Sequence, residues 1–269
     1  MSTWRDLWPL PAWVGLAMFT AWLYWPGLGG PPILDDRVNL SVLEDMQVQT
    51  EALEDVVLGN RSSSVGRPLS MASFALEKAC CDRGLWGIKR TNLLLHLSCS
   101  ALLLALALTL FRYLHLPAAG ALALLACAAW TLSPLYVSTV LYAVQRMAQL
   151  STLFVLLGLW LYACWRSRLA AGQASHWMLP LVAASGVAGF LAKENALLLL
   201  PLLIVLECYL FRFVGPDGEE VEWARRGVLV AVLVGIAGLV LFALLRPEYF
   251  LAGYQLRDFT MAERLFSQA

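Results

Sequence analysis

Charge is scarce in this chain. Charged residues make up 14% of its 269 residues, hydrophobic residues make up 60%, and the mean hydropathy is +0.68. These values lie outside the range of soluble domains of this size, so a water-soluble core is excluded. The 19 Lys and Arg residues balance the 19 Asp and Glu residues. Without a net positive field, we expect no nucleic-acid partner.

The sequence also lacks the marks of a cleaved leader and of a cysteine-based metal site. Its N-terminal segment has neither the short apolar core nor the small-residue cleavage site of a signal peptide, so we expect the first apolar run to remain as an anchor. The six cysteines show no metal-ligand spacing. Cys80 and Cys81 are adjacent in a polar segment, and since a bridge between neighbours would be strained, free thiols or pairing to another chain are favoured.

Long apolar runs, in contrast, are abundant. A bilayer core of about 30 Å is crossed by roughly 20 apolar residues in a helix, because the backbone there must satisfy its own hydrogen bonds. We therefore predict an all-α integral membrane protein with about seven transmembrane helices within residues 1–245, followed by an extracytoplasmic segment at 246–269. The predicted spans are residues 11–30, 91–110, 117–135, 149–165, 177–192, 196–211 and 227–245.

The positions of the arginines predict the orientation, because Lys and Arg are retained on the cytoplasmic side of a membrane. A cytoplasmic N-terminus puts most arginines near span ends on that side, namely Arg5, Arg112, Arg166, Arg168, Arg212, Arg225 and Arg226. The opposite short edges carry only Arg146, Lys193 and Arg246. Residues 31–90 then form a large first extracytoplasmic loop, in which apolar residues at helical spacing predict an amphipathic helix over 39–58.

Two adjacent carboxylates, Asp35 and Asp36, follow the first span directly. Near the outer membrane surface they could act as a general base or bind a divalent cation, because partial exclusion of water raises carboxylate basicity and hard cations prefer oxygen ligands. The alternative interpretation is a solvated helix flank. Two aspartates alone do not define a metal site.

Two further polar groups lie at predicted outer edges. Gln145 and Arg146 precede the fourth span, where an arginine either snorkels to the interface or forks onto a lipid phosphate. Lys193 and Glu194, with Asn195, interrupt an otherwise apolar stretch, which requires that water, each other or a ligand satisfy them. They could equally form the turn between two helices.

Asn92 and His96 share one face at the start of the second span, where each alone would be a hydrogen-bonding group between packed helices. Their location changes this interpretation. Together with the carboxylates and cations above, they all map to the outer side of the membrane, as does Arg67. One outward-facing polar site with anionic and cationic members explains all of them.

The order of these motifs resembles a known family. The motifs are Leu34-Asp35-Asp36, Gly66-Arg67-Pro68-Leu69-Ser70, Asn92 to His96, Ser133-Pro134, Val144-Gln145-Arg146 and Lys193-Glu194-Asn195. In this order the chain resembles, over essentially its whole length, the bacterial relatives of the TMTC and protein O-mannosyltransferase group. These are GT-C-type membrane glycosyltransferases, including tetratricopeptide-repeat membrane proteins and pilin glycosyltransferases. Family members commonly carry His-Pro where this chain has Ser133-Pro134.

The resemblance implies a GT-C-like fold in a bacterial inner membrane with a periplasmic active face. It implies transfer of a sugar, with inversion, from a polyprenyl-phosphate-linked donor to an acceptor protein or glycan, most simply a protein hydroxyl. Asp35 and Asp36 would hold the acceptor or act as base, and Arg146, with Lys193 or Arg67, would neutralise the lipid phosphate. Asn92, His96, Gln145 and Glu194 would complete the substrate site. Because relatives continue into further spans and often a repeat domain, this chain would be a fragment or a minimal module.

Two other functions remain open from the sequence. A transporter or flippase of lipid-linked sugars would show broken or charged helices near the middle of the bilayer and internal repeats. The sequence has no convincing inverted repeat, and its polar groups cluster at one face, which favours the enzyme. A non-catalytic assembly subunit is the third hypothesis.

Overall fold

The computed structural model describes residues 8–40, 57, 66–173, 176–215, 217–220, 222–245, 263 and 266–267. Most of the amphipathic helix predicted over 39–58 lies outside these residues, as does most of the C-terminal segment 246–269. The description below therefore concerns the remaining part of the chain. It falls into two compact units, Met1–Phe211 and Arg212–Ala269.

The described part of the chain is helical and has no extended strand. Its α-helices are α1 (Pro9–Tyr24), α2 (Asp36–Leu40), α3 (Pro68–Cys81), α4 (Gly84–Tyr113), α5 (Ala119–Thr131), α6 (Val137–Leu141), α7 (Arg146–Ala170), α8 (Met178–Ala192), α9 (Leu199–Val205) and α10 (Glu222–Leu245). Short 3-10 segments lie at Trp25–Gly29, Pro134–Tyr136, Ala143–Gln145 and Glu194–Leu198, and a π-helix at Leu206–Phe211. Each predicted apolar run thus contains a helix.

The ends of these helices depart from the predicted spans for identifiable reasons. Helix α4 begins at Gly84, seven residues before the predicted start at 91, and so takes in the fully buried Lys89. The predicted run 117–135 breaks after Thr131, and the two parts meet at a bend of 46°. Pro134 lacks an N–H and forces Ser133 into extended backbone, which ends a helix at this point.

Several of the helices described here are long and apolar enough to cross a membrane. Gly84–Tyr113, Ala143–Ala170 and Glu194–Phe211 meet this condition individually, and the bent pair Ala119–Thr131 with Pro134–Leu141 makes a fourth if it counts as one span. Met178–Ala192 is apolar but shorter. The protein is therefore an α-helical membrane protein with three to four candidate spans among the residues that the structure describes, and the count of seven stays a prediction.

Small residues allow α7 and α8 to pack closely. An ideal Cβ added at Gly158 would lie 2.6 Å from Ser185 Oγ of α8, and one added at Gly189 would lie 3.2 Å from Phe154 Cβ of α7. Backbones approach this closely only where side chains are small, which is the usual packing of helices in a membrane. Helix α4 packs against both α5 and α7 and is central to the first unit.

A buried ion pair joins α7 to the π-helix at the end of the first unit. Arg166 Nε lies 2.7 Å from Glu207 Oε1, and the Tyr162 hydroxyl donates to the same oxygen at 2.6 Å. Arg166 Nη2 also donates to the Phe211 carbonyl oxygen at 3.4 Å. The π-helix turns Glu207 toward Arg166, and π-turns of this kind often accommodate a polar group inside a helix bundle.

The second unit is described by itself. Val214 and Glu220 form an isolated antiparallel bridge, and α10 then carries the last predicted apolar run. In its first turn Arg226 Nε donates to Glu222 Oε1 at 3.0 Å. This pair is exposed and contributes little to stability.

Candidate functional site

Asp36 is buried and held by backbone amides. Its side chain is 1% exposed, and Oδ1 accepts the Val144 N–H at 2.8 Å while Oδ2 accepts the N–H groups of Ile33 at 3.0 Å and Ala143 at 3.4 Å. The hydrogen bonds from the Val144 and Ala143 amides join α2 to the segment that precedes α7. The carboxylate is therefore a fixed anchor between the first outer loop and residues 143–144.

Asp35, its neighbour, is exposed. Its backbone N–H donates to the Tyr142 hydroxyl at 2.9 Å, and its carbonyl oxygen accepts two N–H groups of Asn39 at 3.0 Å. Burial raises the pKa of Tyr142 above its ordinary value, the hydrogen bond from the Asp35 N–H opposes this shift, and the negative charge of Asp35 adds to it. The adjacent carboxylates thus have different surroundings, since one is tied to amides and the other faces solvent.

Asn92 and Arg146 complete the hold on the same segment. Asn92 Nδ2 donates to the carbonyl oxygens of Tyr142 at 3.2 Å and Ala143 at 3.1 Å, and its Oδ1 accepts from Arg146 Nε at 3.1 Å. Both side chains are fully buried. Gln145, half-buried beside them, donates its backbone N–H to the Tyr142 carbonyl oxygen at 3.1 Å.

The guanidinium of Arg146 is engaged by the protein itself. Its Nη2 donates to Glu77 Oε2 and, at 3.0 Å, to the Ile88 carbonyl oxygen, and Nη1 donates to the Ser73 carbonyl oxygen at 3.3 Å. The group also lies 4.4 Å from the centre of the Phe74 ring. With these partners Arg146 joins α3, α4 and α7, which favours a positioning role over direct contact with a lipid phosphate.

A second group of predicted residues lies on the other side of Met147. Arg67 donates from Nε and Nη2 to Glu194 Oε2 at 3.3 and 3.2 Å, and its Nη1 lies 3.6 Å from Met147 Sδ. Lys193 is half-buried beside them. Burial lowers the pKa of Lys193, and the charge of Arg67 lowers it further, whereas Glu194 raises it. Two cations are therefore close to one carboxylate, an arrangement that attracts an anion.

His96 lies apart from both groups. Its side chain is 2% exposed, Nε2 is 3.0 Å from the Thr131 carbonyl oxygen, and the ring stacks on Trp130 with centroids 4.9 Å apart. The rings of Tyr24 and Tyr136 lie 5.9 Å away. This environment suits a packed residue between helices, the alternative that the sequence left open.

Two charged residues near Asp36 and Arg146 were not predicted, the buried Lys89 and the largely buried Glu77. Lys89 is 1% exposed, donates to the carbonyl oxygens of Gly30 at 2.9 Å and Pro31 at 3.0 Å, and interacts electrostatically with Asp36. Glu77 pairs with Arg146 and also accepts from the Thr91 hydroxyl at 3.0 Å. The location of Lys89 directly before an apolar run is a signal that could have identified it, whereas no sequence signal marks Glu77.

A cavity of about 560 Å³ opens beside Asp36. Its lining residues all belong to the loop predicted outside the membrane, from α2, the second half of α3 and the start of α4: Pro32, Asp36, Arg37, Leu40, Phe74, Glu77, Lys78, Asp82, Arg83, Gly84, Leu85 and Ile88. The cavity is large enough for part of a peptide or a sugar.

Neither metal ligands nor relatives assign a function to this chain. Among the residues that the structure describes, no group of three or more His, Cys, Asp or Glu side chains could hold a metal ion. No family model, curated protein or solved structure matches this chain. The function must therefore be argued from the arrangement of the polar groups.

Proposed function

We propose that this protein is a GT-C-type membrane glycosyltransferase with seven spans that moves a sugar from a polyprenyl phosphate to a hydroxyl on the outer side of the membrane. The observation that carries the proposal is the division between the paired aspartates. Asp36, which lines a cavity, is fixed by three amides, and this fixes the backbone of the exposed Asp35 next to it. An exposed carboxylate on a rigid base suits a general base.

The reaction assigns a role to each charged group. The acceptor oxygen attacks the anomeric carbon, the bond from that carbon to the phosphate oxygen breaks, and the configuration inverts. Asp35 takes the proton of the acceptor hydroxyl. The phosphate leaves with the bonding electron pair, and Lys193 and Arg67 stabilise its negative charge.

The spacing of the two groups is compatible with one reaction centre. Asp36 binds the amide of Val144, and Arg67 contacts Met147, three residues further along the chain. Three residues of a helix correspond to a rise of roughly 5 Å. Base and cations therefore flank a single short segment. We assign Arg146 to holding that segment, in place of the direct phosphate contact that the family resemblance implies.

Transfer by the full chain tests this proposal. In nanodiscs with a polyprenyl-phosphate-linked sugar and a serine- or threonine-containing peptide, Asp35→Asn should lower kcat by about 10²- to 10⁴-fold, the usual worth of a general base. Asp217→Asn, an exposed acid of the second unit, is the matched control and should retain full activity. Asp36→Asn should lower both kcat and thermal stability, because it removes an anchoring charge.

Unchanged product formation by Asp35→Asn would rule out the assigned base.

The second candidate function, transport of lipid-linked sugars, is favoured by the 46° break in the helix pair before Tyr142. Translocation of the donor across sealed proteoliposomes without transfer to any acceptor would support that alternative.

A further inference from the structure

Some of the charged side chains that line the cavity beside Asp36 have hydrogen-bond or ion-pair partners in the protein, and others do not. Three acids and three cations line it, but each acid already has partners. Asp36 accepts three amide N–H groups, Glu77 pairs with Arg146, and Asp82 accepts from Lys78 Nζ at 2.5 Å and from the Gly84 N–H at 3.2 Å. The hydrogen bond from Lys78 lowers the pKa of Asp82, which keeps that pair charged.

Two of the three cations lack such partners among the described residues. Arg37, in α2, and Arg83, the residue before α4, are exposed on the cavity wall, and neither side chain forms an ion pair or hydrogen bond within the described part of the chain. The wall between them is apolar and includes Leu40, Phe74 and Ile88. A ligand that enters the cavity therefore meets two arginines and a hydrophobic surface.

We infer that this cavity is the acceptor subsite and that it selects an acidic peptide segment around the target serine or threonine. Guanidinium groups bind carboxylates with two parallel hydrogen bonds, and the apolar wall accommodates the peptide's side chains. Asp35 precedes the cavity-lining Asp36, so a hydroxyl held here is close to the assigned base. The inference rests on the proposed function.

The position of the cavity favours a peptide over the lipid donor. It is formed by α2, α3 and the first residues of α4, all in the predicted outer loop, and not by grooves between spanning helices. The apolar cluster of Met71, Phe74, Ala75 and Met147 lies next to it, and Met147 in turn contacts Arg67. The cavity and the pair of cations assigned to the phosphate thus both border this cluster, the cavity through Phe74 and the cations through Met147.

The experiment measures peptide binding and sugar transfer with the full chain in nanodiscs of zwitterionic lipid. Two fluorescent peptides share one serine and differ only in aspartates or asparagines at the flanking positions. The aspartate peptide should bind roughly tenfold more tightly than the asparagine peptide, which corresponds to about one charge-assisted hydrogen bond. This preference should weaken at high salt, because salt screens the attraction between charges. The double variant R37Q/R83Q should remove it. The matched control R168Q, an exposed arginine at the end of α7, should retain it.

Equal affinity for the two peptides, or a preference that survives in R37Q/R83Q, would overturn the inference. Loss of aspartate-peptide binding when an anionic phospholipid is added to the nanodisc would also overturn it, because the arginines would then bind lipid headgroups. Binding preference without sugar transfer contradicts the transferase and leaves the acidic-peptide site standing. Transfer without a preference leaves the transferase standing and rejects the site.

Discussion

Buried charges near the beginnings of α4 and α7 occur with partners close by. Arg146 is joined to Glu77, and the ammonium of Lys89 is held by two carbonyl oxygens near Asp36. A buried pair adds little net stability by itself, because desolvation offsets the attraction. Removal of one partner, however, leaves an uncompensated charge and is strongly destabilising.

Glu77→Ala should therefore lower the free energy of unfolding by about 3–5 kcal/mol. The side chains of Arg146 and Glu77 are 1% and 11% exposed, so little water can replace the lost carboxylate. The matched control is Lys78→Ala, the next residue, whose solvent-exposed pair with Asp82 should contribute little to stability. Equilibrium unfolding in mixed detergent micelles measures both. Equal stability of the two variants would contradict the positioning role of the pair.

The sequence places these polar residues on one predicted side of the membrane but does not indicate how they pair. Arg67, Lys193 and Glu194 do lie together, as their shared location suggested. The partners of Arg146 come from α3 and α4, 54 to 73 residues away in the chain. Pairing at such separations depends on how helices pack, and hydropathy and spacing contain no information about it. For the same reason the sequence could not distinguish the exposed Asp35 from the buried Asp36, since the amides that hold Asp36 include two from residues 143 and 144.

At the level of helices, the contact of α7 with α8 depends on two glycines. Gly158 faces Ser185 and Leu199, and Gly189 faces Ala196. Gly15 in α1, in contrast, has nothing within 4 Å of an added Cβ. The three glycines are all helical and differ mainly in what lies opposite.

This difference gives a matched comparison. Gly158→Leu should lower the stability of the folded chain by about 1–3 kcal/mol, because overpacking forces the helices apart. Gly15→Leu should leave stability unchanged or raise it by up to about 1 kcal/mol, the helix-propensity gain over glycine. Thermal unfolding of the purified variants, followed by loss of monodisperse protein, distinguishes them. A Gly158→Leu variant as stable as Gly15→Leu would show that α7 and α8 are not closely packed.

Helix existence was predictable and helix ends were not. Each of the seven apolar runs contains a helix because only a helix satisfies the backbone in lipid. Hydropathy could not predict the early start of α4, because every hydropathy scale ranks Lys89 as polar. Lys89 is buried in this helix because its ammonium donates hydrogen bonds to the carbonyl oxygens of Gly30 and Pro31. The predicted span 117–135 runs through Ser133 and Pro134, although a proline at this position indicates that the helix ends before it.

For the whole molecule, orientation is the property on which the proposed function depends. The arginine distribution predicts Leu34 outside and His115 inside, at opposite ends of the helices that lead to them. Leu34 is 81% exposed and His115 is exposed, so both positions accept a labelling thiol.

Single-cysteine variants Leu34→Cys and His115→Cys, in a background without the six native cysteines, test this orientation. A membrane-impermeant maleimide should label Leu34→Cys in intact spheroplasts and His115→Cys only after permeabilisation. The reverse pattern would place the proposed site in the cytoplasm and contradict the donor assignment. Labelling of both in intact cells would contradict α4 as a span.

The buried pair of Arg166 and Glu207 also constrains how the chain is made. Arg166 leaves the ribosome about 40 residues before Glu207, which at roughly 5–20 residues per second is a delay of about 2–8 s. During this time the arginine near the end of α7 lacks the carboxylate that it pairs with in the folded protein, and a buried charge without its partner is costly. The end of α7 therefore reaches its packed state only when the segment Glu194–Phe211 arrives. Folding of this protein should then proceed by packing of α7, α8 and this segment as a group.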